Sequence, residues 1–241
     1  MSKEIQLDQA KGWRLNKKNM PVAKGKVSNS GWFPTSLGGL VAWYQFNTGI
    51  TVTGAGVSVW TDQSGNSNHL LQATDTNRPA KQSDGSILFD GVDNYLKTVA
   101  FTLNQPTTVY FLGKQITWTT SDKLIDGDSY QVAAINQTGS SPGLRIIAGL
   151  EAAANDNLAL DTYGVISAVF DGASSLLQID NTTPTTGDAG TSNAGGITLG
   201  AAGNNLQFAH TQIKEVVIYS VAHDASTRRQ VIDYLSNVGG L

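Results

Sequence analysis

The sequence predicts an all-β fold: a two-sheet antiparallel sandwich with one C-terminal helix and an extended N-terminal arm. Three observations carry this. Ten short apolar or alternating runs of strand length recur between residues 40 and 220, separated by clusters of Gly, Asn, Asp, Ser and Thr. The 241 residues include 26 Gly, 24 Thr, 20 Ser and 17 Asn but only 3 Glu, a composition that excludes a helical bundle. One amphipathic helical stretch stands out, at the C-terminal end.

The arm comes first and is assigned residues 1–35. Residues 1–26 hold seven basic residues against two acidic ones, whereas the remainder holds nine against seventeen. A basic arm therefore precedes an acidic body, which the formal net charge of -3 conceals. The arm has few aliphatic residues and no period, and Pro21, Gly25, Ser28, Ser30, Gly31 and Pro34 break its end, so it is not expected to fold alone. Trp13 lies in a polar stretch, where an indole anchors into a partner's pocket. Lys11, Arg14, Lys17 and Lys18 surround it, and the five residues form the expected partner-binding set, docking onto an acidic protein surface. Nucleic acid is not expected: the arm holds one arginine, and the acidic body would repel a duplex.

The body, residues 36–241, follows. Its expected strands are 40–46, 57–60, 86–89, 107–113, 129–135, 144–149, 163–170, 175–180, 196–200 and 213–220. Runs apolar on both faces, such as VISAVF at 165–170, predict central strands or a sheet covered on both sides. The low-complexity segment 181–196 reads as an exposed loop. The helix is expected at about 224–237, with Asp224 or Ser226 as N-cap, Val231, Ile232 and Leu235 as its apolar stripe, and Gly239 as its stop.

Several classes of function are set aside by what is missing. No apolar run approaches the ~20 residues that cross a bilayer, so no membrane partner is expected. With no cysteine there are no disulfides, thiolate metal sites or cysteine nucleophiles. The N-terminus lacks the apolar stretch of a secretory signal, which predicts synthesis in the cytoplasm. The histidines His69, His210 and His223 have no Gly-x-Ser-x-Gly elbow to serve.

In order along the chain, LVAWYQF, VSVWTDQSGNSNHLLQ, RPAKQ, the FDGVDNYL motif at Phe89–Leu96, TVYFLGK, YGVISAVFDGASSLLQID, GGITLGA and a terminal E-x-x-x-Y before the helix resemble concanavalin A-like jelly rolls of the laminin-G type. The likeness covers roughly residues 37–241. It implies a jelly-roll sandwich, a fold that hosts lectins, hydrolases and scaffolds alike. Short chains of this kind with a basic lead segment resemble virion components of tailed bacteriophages. Laminarinase-like members of the fold carry their carboxylates in a Glu-x-Asp-x-x-Glu pattern, and Glu4, Glu151 and Glu215 form no such pattern. Related sandwiches hold calcium at a rim, for which Asp62, Asn66, Asp90 and Asp93 are the candidate ligands. The preferred reading of those residues is Asx-turn architecture beside Gly65 and Gly91, with no cofactor.

Trp43 and Trp60 lie in apolar runs and are expected in the core, whereas Trp118, in the polar QITWTTSD segment, and Tyr130 are the candidate glycan-facing residues. The expectation is thus a non-catalytic virion structural protein of a tailed phage, a capsid decoration or tail accessory. It would be held to other virion proteins by its arm, with self-association left open. The alternative is a receptor- or glycan-binding adhesin with a surface glycan as ligand, and a polysaccharide-degrading enzyme is third.

Overall fold

The computed structural model describes residues 32–241, which form one body. The expected arm residues Lys11, Trp13, Arg14, Lys17 and Lys18 lie outside the described residues. The strands are β1 (Leu40–Tyr44), β2 (Ile50–Thr53), β3 (Gly56–Trp60), β4 (Leu70–Leu71), β5 (Ala80–Lys81), β6 (Ile87–Asp90), β7 (Leu96–Lys97) and β8 (Thr107–Gln115). They continue with β9 (Lys123–Asp126), β10 (Ala134–Gln137), β11 (Gly143–Ile147), β12 (Glu151–Asn157), β13 (Gly164–Phe170), β14 (Leu176–Ile179), β15 (Thr185–Thr186), β16 (Thr198–Leu199) and β17 (His210–Tyr219). The helix α1 (Ala225–Gly239) ends the chain.

The strands form two antiparallel sheets, as the sequence predicts. One runs β15-β14-β13-β8-β17-β6-β5, with β1 also paired to β17; the other, of nine strands, runs β12-β11-β10-β9-β16-β7-β4-β3-β2. Strand alternation sends Val109 and Phe111 of β8, Ile166 and Ala168 of β13, and Val216 and Ile218 of β17 into the core between the sheets. Their neighbours Tyr110, Leu112, Val165, Val217 and Tyr219 point the other way and meet Val231, Ile232, Tyr234 and Leu235 of α1. The first sheet is therefore apolar on both faces because the helix covers its outside.

Asp224 caps α1 by accepting from the Thr227 amide, and the chain leaves the helix at Gly240, φ 74°, one residue beyond the expected stop. Trp32 to Pro34, which the sequence groups with the arm, pack on the body. The Trp32 ring meets Tyr234 edge-on at 5.3 Å, and the Tyr219 hydroxyl donates to the Pro34 carbonyl at 3.0 Å. The expected strand 129–135 begins only at Ala134, because the residues before it form a turn that carries the functional face described next.

Candidate functional site

Among the described residues no helix covers the outer face of the nine-stranded sheet, and its polar residues fall in two rows. Directly paired residues of adjacent antiparallel strands share a face, so Leu71, Lys97, Thr198 and Asp126 form one row across β4, β7, β16 and β9. Their neighbours Leu96, Leu199 and Ile125 face the core.

Most of this row is spent on holding loops. Asp126 is 1% exposed, and its carboxylate accepts from the amides of Gly127 (2.9 Å), Gln131 (2.8 Å), Val132 (3.1 Å) and Gly203 (3.2 Å). Burial raises its pKa, and these backbone bonds offset part of that rise. Lys97 donates to the carbonyls of Asp128 and Gly203, and Thr198 to that of Gly127. Two loops, 127–133 and 200–207, are thereby drawn over the sheet. They meet so closely that a Cβ at residue 203 would lie 2.3 Å from the Ser129 carbonyl, a contact only glycine avoids.

The second row runs beside the first. Lys123, Asn136 and Arg145 pair in register across β9, β10 and β11. Lys123 is wholly buried: its ammonium donates to the Ser121 carbonyl at 2.9 Å and lies 5.5 Å from the centre of the Tyr130 ring. Burial pushes it down to about 8, against the pull of Asp126. Arg145 is ion-paired to the exposed Glu151 at 2.8 Å. Burial also pushes the neighbouring Asp122 up to about 6, against a hydrogen bond from Thr119.

Five buried side-chain polar atoms among the described residues find no hydrogen-bond partner, and four belong to this neighbourhood: Trp118 Nε1, Asn136 Oδ1, Arg145 Nε and Gln207 Oε1. Trp118 lies on the β8–β9 connection, which Gln137 ties to the end of β10 through Thr117 and Thr119. Gln207 gives its carbonyl to the Lys123 amide. Buried polar atoms in native proteins are nearly always paired, with protein groups or ordered water, so these four are the atoms of the neighbourhood still open to a partner.

Of the two candidate glycan-facing residues, Tyr130 lies on this face, over Lys123, and Trp118 lies on the β8–β9 connection beside the end of β10. Tyr130 is 44% exposed over Lys123, and Trp118 is partly buried; their rings do not stack on each other. The row of Lys123, Asn136 and Arg145 escaped the sequence reading, as did the Asp126 tether, whose DGD sequence reads as an ordinary turn. One signal was available, a lysine opening the otherwise apolar KLI stretch.

The calcium candidates are occupied otherwise. Asp62 accepts from the amides of Trp43, Ser64 and Asn68, and Asn66 donates to the carbonyls of Leu40 and Val41. Asp90 accepts from the Val92 amide at 2.9 Å beside Gly91, φ 74°, and Asp93 accepts from the Asn94 side chain at its carboxylate and from the Asn77 side chain at its carbonyl. Both are Asx-turns, one pinning its loop to β1. His223 is buried and hydrogen-bonded through Nδ1 to the Tyr110 hydroxyl at 2.8 Å. Glu215 accepts from the Trp43 indole (2.7 Å), the Tyr234 hydroxyl (2.9 Å) and the Phe46 amide (3.1 Å), clamping β1, β17 and α1 together.

No protein-family model matches the chain, and no curated protein sequence does. Solved structures do. A Trypanosoma rangeli sialidase superposes with a TM-score of 0.62 at 12% identity, over 84% of this chain and 33% of the sialidase. An arabinofuranosidase complexed with arabinofuranosyl-α-1,2-xylobiose superposes with a TM-score of 0.55 at 14% identity, over 74% of this chain and 50% of the other. The chain thus spans a third to a half of the structures it resembles, and at these identities the likeness establishes the β-sandwich.

These neighbours overturn two expectations. The sandwich is shared with carbohydrate-processing enzymes, against the reading of a non-catalytic virion structural protein. The exclusion of enzymatic function falls with it. That exclusion rested on one carboxylate pattern and on the missing cysteine and serine nucleophile motifs, and glycosides are also cleaved by other arrangements, including tyrosine nucleophiles.

Proposed function

We propose that the outer face of the nine-stranded sheet, around Tyr130 and Trp118, recognises carbohydrate as part of a carbohydrate-processing protein. The observation that carries this is the gathering of four unpartnered polar atoms beside an exposed tyrosine and a partly exposed tryptophan. Sugars need both elements: rings to stack on their apolar faces, and fixed donors and acceptors for their hydroxyls. Trp118 and Arg145 are themselves partly exposed, so a rotamer change brings their unpaired N–H groups to a ligand. The likeness to a sialidase and an arabinofuranosidase supports the same ligand class. Calorimetric titration of the full chain against a panel of defined oligosaccharides tests it. Tyr130→Ala and Trp118→Ala should each weaken binding about tenfold, the effect of ~1.4 kcal/mol of lost stacking and hydrogen bonding. Unchanged affinity in both variants would remove the site from this face.

A second reading, hydrolysis at the same face, is favoured by Asp122. Glycoside cleavage uses a carboxyl that keeps its proton near neutral pH together with a second carboxylate. Burial pushes Asp122 up to about 6, and Glu151 stands ion-paired to Arg145 in the same charge cluster around Lys123. Aryl glycosides report it directly. Asp122→Asn should abolish release of the aryl group, and equal turnover in that variant would rule Asp122 out as the acid.

A further inference from the structure

Resting on the carbohydrate reading, we infer that this face takes an uncharged sugar and discriminates against sugars that carry a carboxylate. The unpartnered atoms are of two kinds. Trp118 Nε1 and Arg145 Nε are donors, whereas Asn136 Oδ1 and Gln207 Oε1 are acceptors. Asn136 cannot exchange its roles by turning over, because its Nδ2 already donates to the Gln137 carbonyl at 3.0 Å. A hydroxyl gives one hydrogen bond and accepts others, so it answers both kinds of atom. An ionised carboxylate only accepts, and would set its charge against the fixed carbonyl oxygen of Asn136.

The cations are also spoken for. A carboxylate ligand is best held by a free guanidinium fork. Here one Arg145 terminal nitrogen is held by Glu151 at 2.8 Å, and the Lys123 ammonium is closed under Tyr130 and bonded to Ser121. The cluster counts two cations, Lys123 and Arg145, against three carboxylates, Asp122, Asp126 and Glu151. An acidic sugar would enter a site with no net positive charge and would have to displace Glu151 to reach arginine. Two clefts among the described residues lack this character. One of about 320 Å³ lies between Asn68, His69, Leu71 and Phe101. Its histidine Nδ1 is already taken by the Asp62 amide, and no unpaired atom faces it. The other, of about 340 Å³, is lined by Leu150, Asp188 and Ser192 and likewise holds no unpaired atom.

The test uses matched ligand pairs differing only in the acid: lactose against sialyllactose, and a xylo-oligosaccharide against its glucuronosyl-substituted form. Each is titrated calorimetrically into the full chain and into Glu151→Gln. For the pair whose neutral member binds, the acidic member should bind at least tenfold more weakly. Glu151→Gln should narrow that gap severalfold, by raising affinity for the acid more than for the neutral sugar. Equal or tighter binding of the acidic member overturns the inference and leaves the carbohydrate reading standing. So does a gap that Glu151→Gln does not move. If a folded chain binds no member of either pair nor any sugar of the wider panel, the carbohydrate reading itself falls, and this inference with it.

Discussion

Replacing Asp126 with alanine tests whether the functional face is held from below. Its carboxylate accepts four backbone amides at 2.8 to 3.2 Å, three from the loop that carries Tyr130 and one from Gly203 across from it. At about 1 to 1.5 kcal/mol net for each bond, the upper part of the ordinary range, the set contributes roughly 4 to 6 kcal/mol. Deleting the side chain also removes the cost of keeping a buried carboxylate from water, a return of about 2 kcal/mol. The expected loss is therefore about 3 kcal/mol, which for a body of this size lowers the melting temperature by roughly 6 to 12 °C. Asp126→Asn keeps one acceptor oxygen and should lose about half as much. Urea unfolding followed by tryptophan fluorescence measures both, with the slope checking that the transition stays two-state. Glycan affinity should fall along with stability, because Tyr130 would no longer be fixed over Lys123. An Asp126→Ala protein within 1 kcal/mol of wild type and with wild-type affinity would show that the loops hold themselves, and the tether argument would be wrong.

Three further outcomes follow from the buried groups. Burial holds His223 down at about 4, against an ordinary value of 6.5, so its neutral form contributes stability that is present above 6.5 and lost as pH falls towards 4. Between pH 7 and 4.5 that loss should reach about 2.5 kcal/mol, and His223→Gln should flatten the profile; parallel slopes would contradict the assignment. Glu215→Ala strands the Trp43 indole, the Tyr234 hydroxyl and the Phe46 amide and should cost about 3 kcal/mol, with Glu215→Gln costing less; equal costs would mean that the charge rather than the acceptor geometry matters. EDTA should leave the melting temperature unchanged, since the Asp62 and Asp90 oxygens are taken by backbone amides. A fall of many degrees, restored by calcium, would show the Asx-turn account to be incomplete.

The central strands were legible because burial on both faces leaves a composition signal that needs no register. VISAVF in β13 and TVYFL in β8 are such runs, and the fold fills one side with the other sheet and the other side with α1. The helix was legible through its cap and its stripe, both local features. β9 was not. Its pairing slips between Asn136, opposite Lys123, and Ile135, opposite Ile125, which leaves Leu124 as an extra residue. With that bulge Leu124 and Ile125 both reach the core, and K-L-I-D shows no alternation to read. Two-residue strands such as β4, β7 and β16 are too short to have a period at all. The opposite error arose at 129–135, where an apolar composition suggested strand while Gln131 adopts φ 59° and its amide turns to Asp126.

The functional face divides along the same line. Trp118 and Tyr130 could be picked out one at a time, as aromatic residues in polar surroundings. Lys123, Asn136 and Arg145 could not, because their meaning lies in sharing a face across three strands, and a one-residue slip in any pairing would send one of them into the core. The bulge in β9 fixes that register, so the feature that hid the strand is also the one that points Lys123 outwards. Lys97 and Asp126 show the same dependence. They stand together only because Thr198, in a strand of two residues, pairs with both. Outward-facing polar residues on a sheet would ordinarily meet water. Here they meet the carbonyls and amides of two loops, and the burial that follows shifts Lys123 and Asp122 and leaves Asn136 unsatisfied. The chemistry of the face is thus a consequence of the loops being tied down over it. Tyr130, Lys123 and the Asp126 tether should accordingly respond to mutation as one unit, with non-additive effects on ligand affinity.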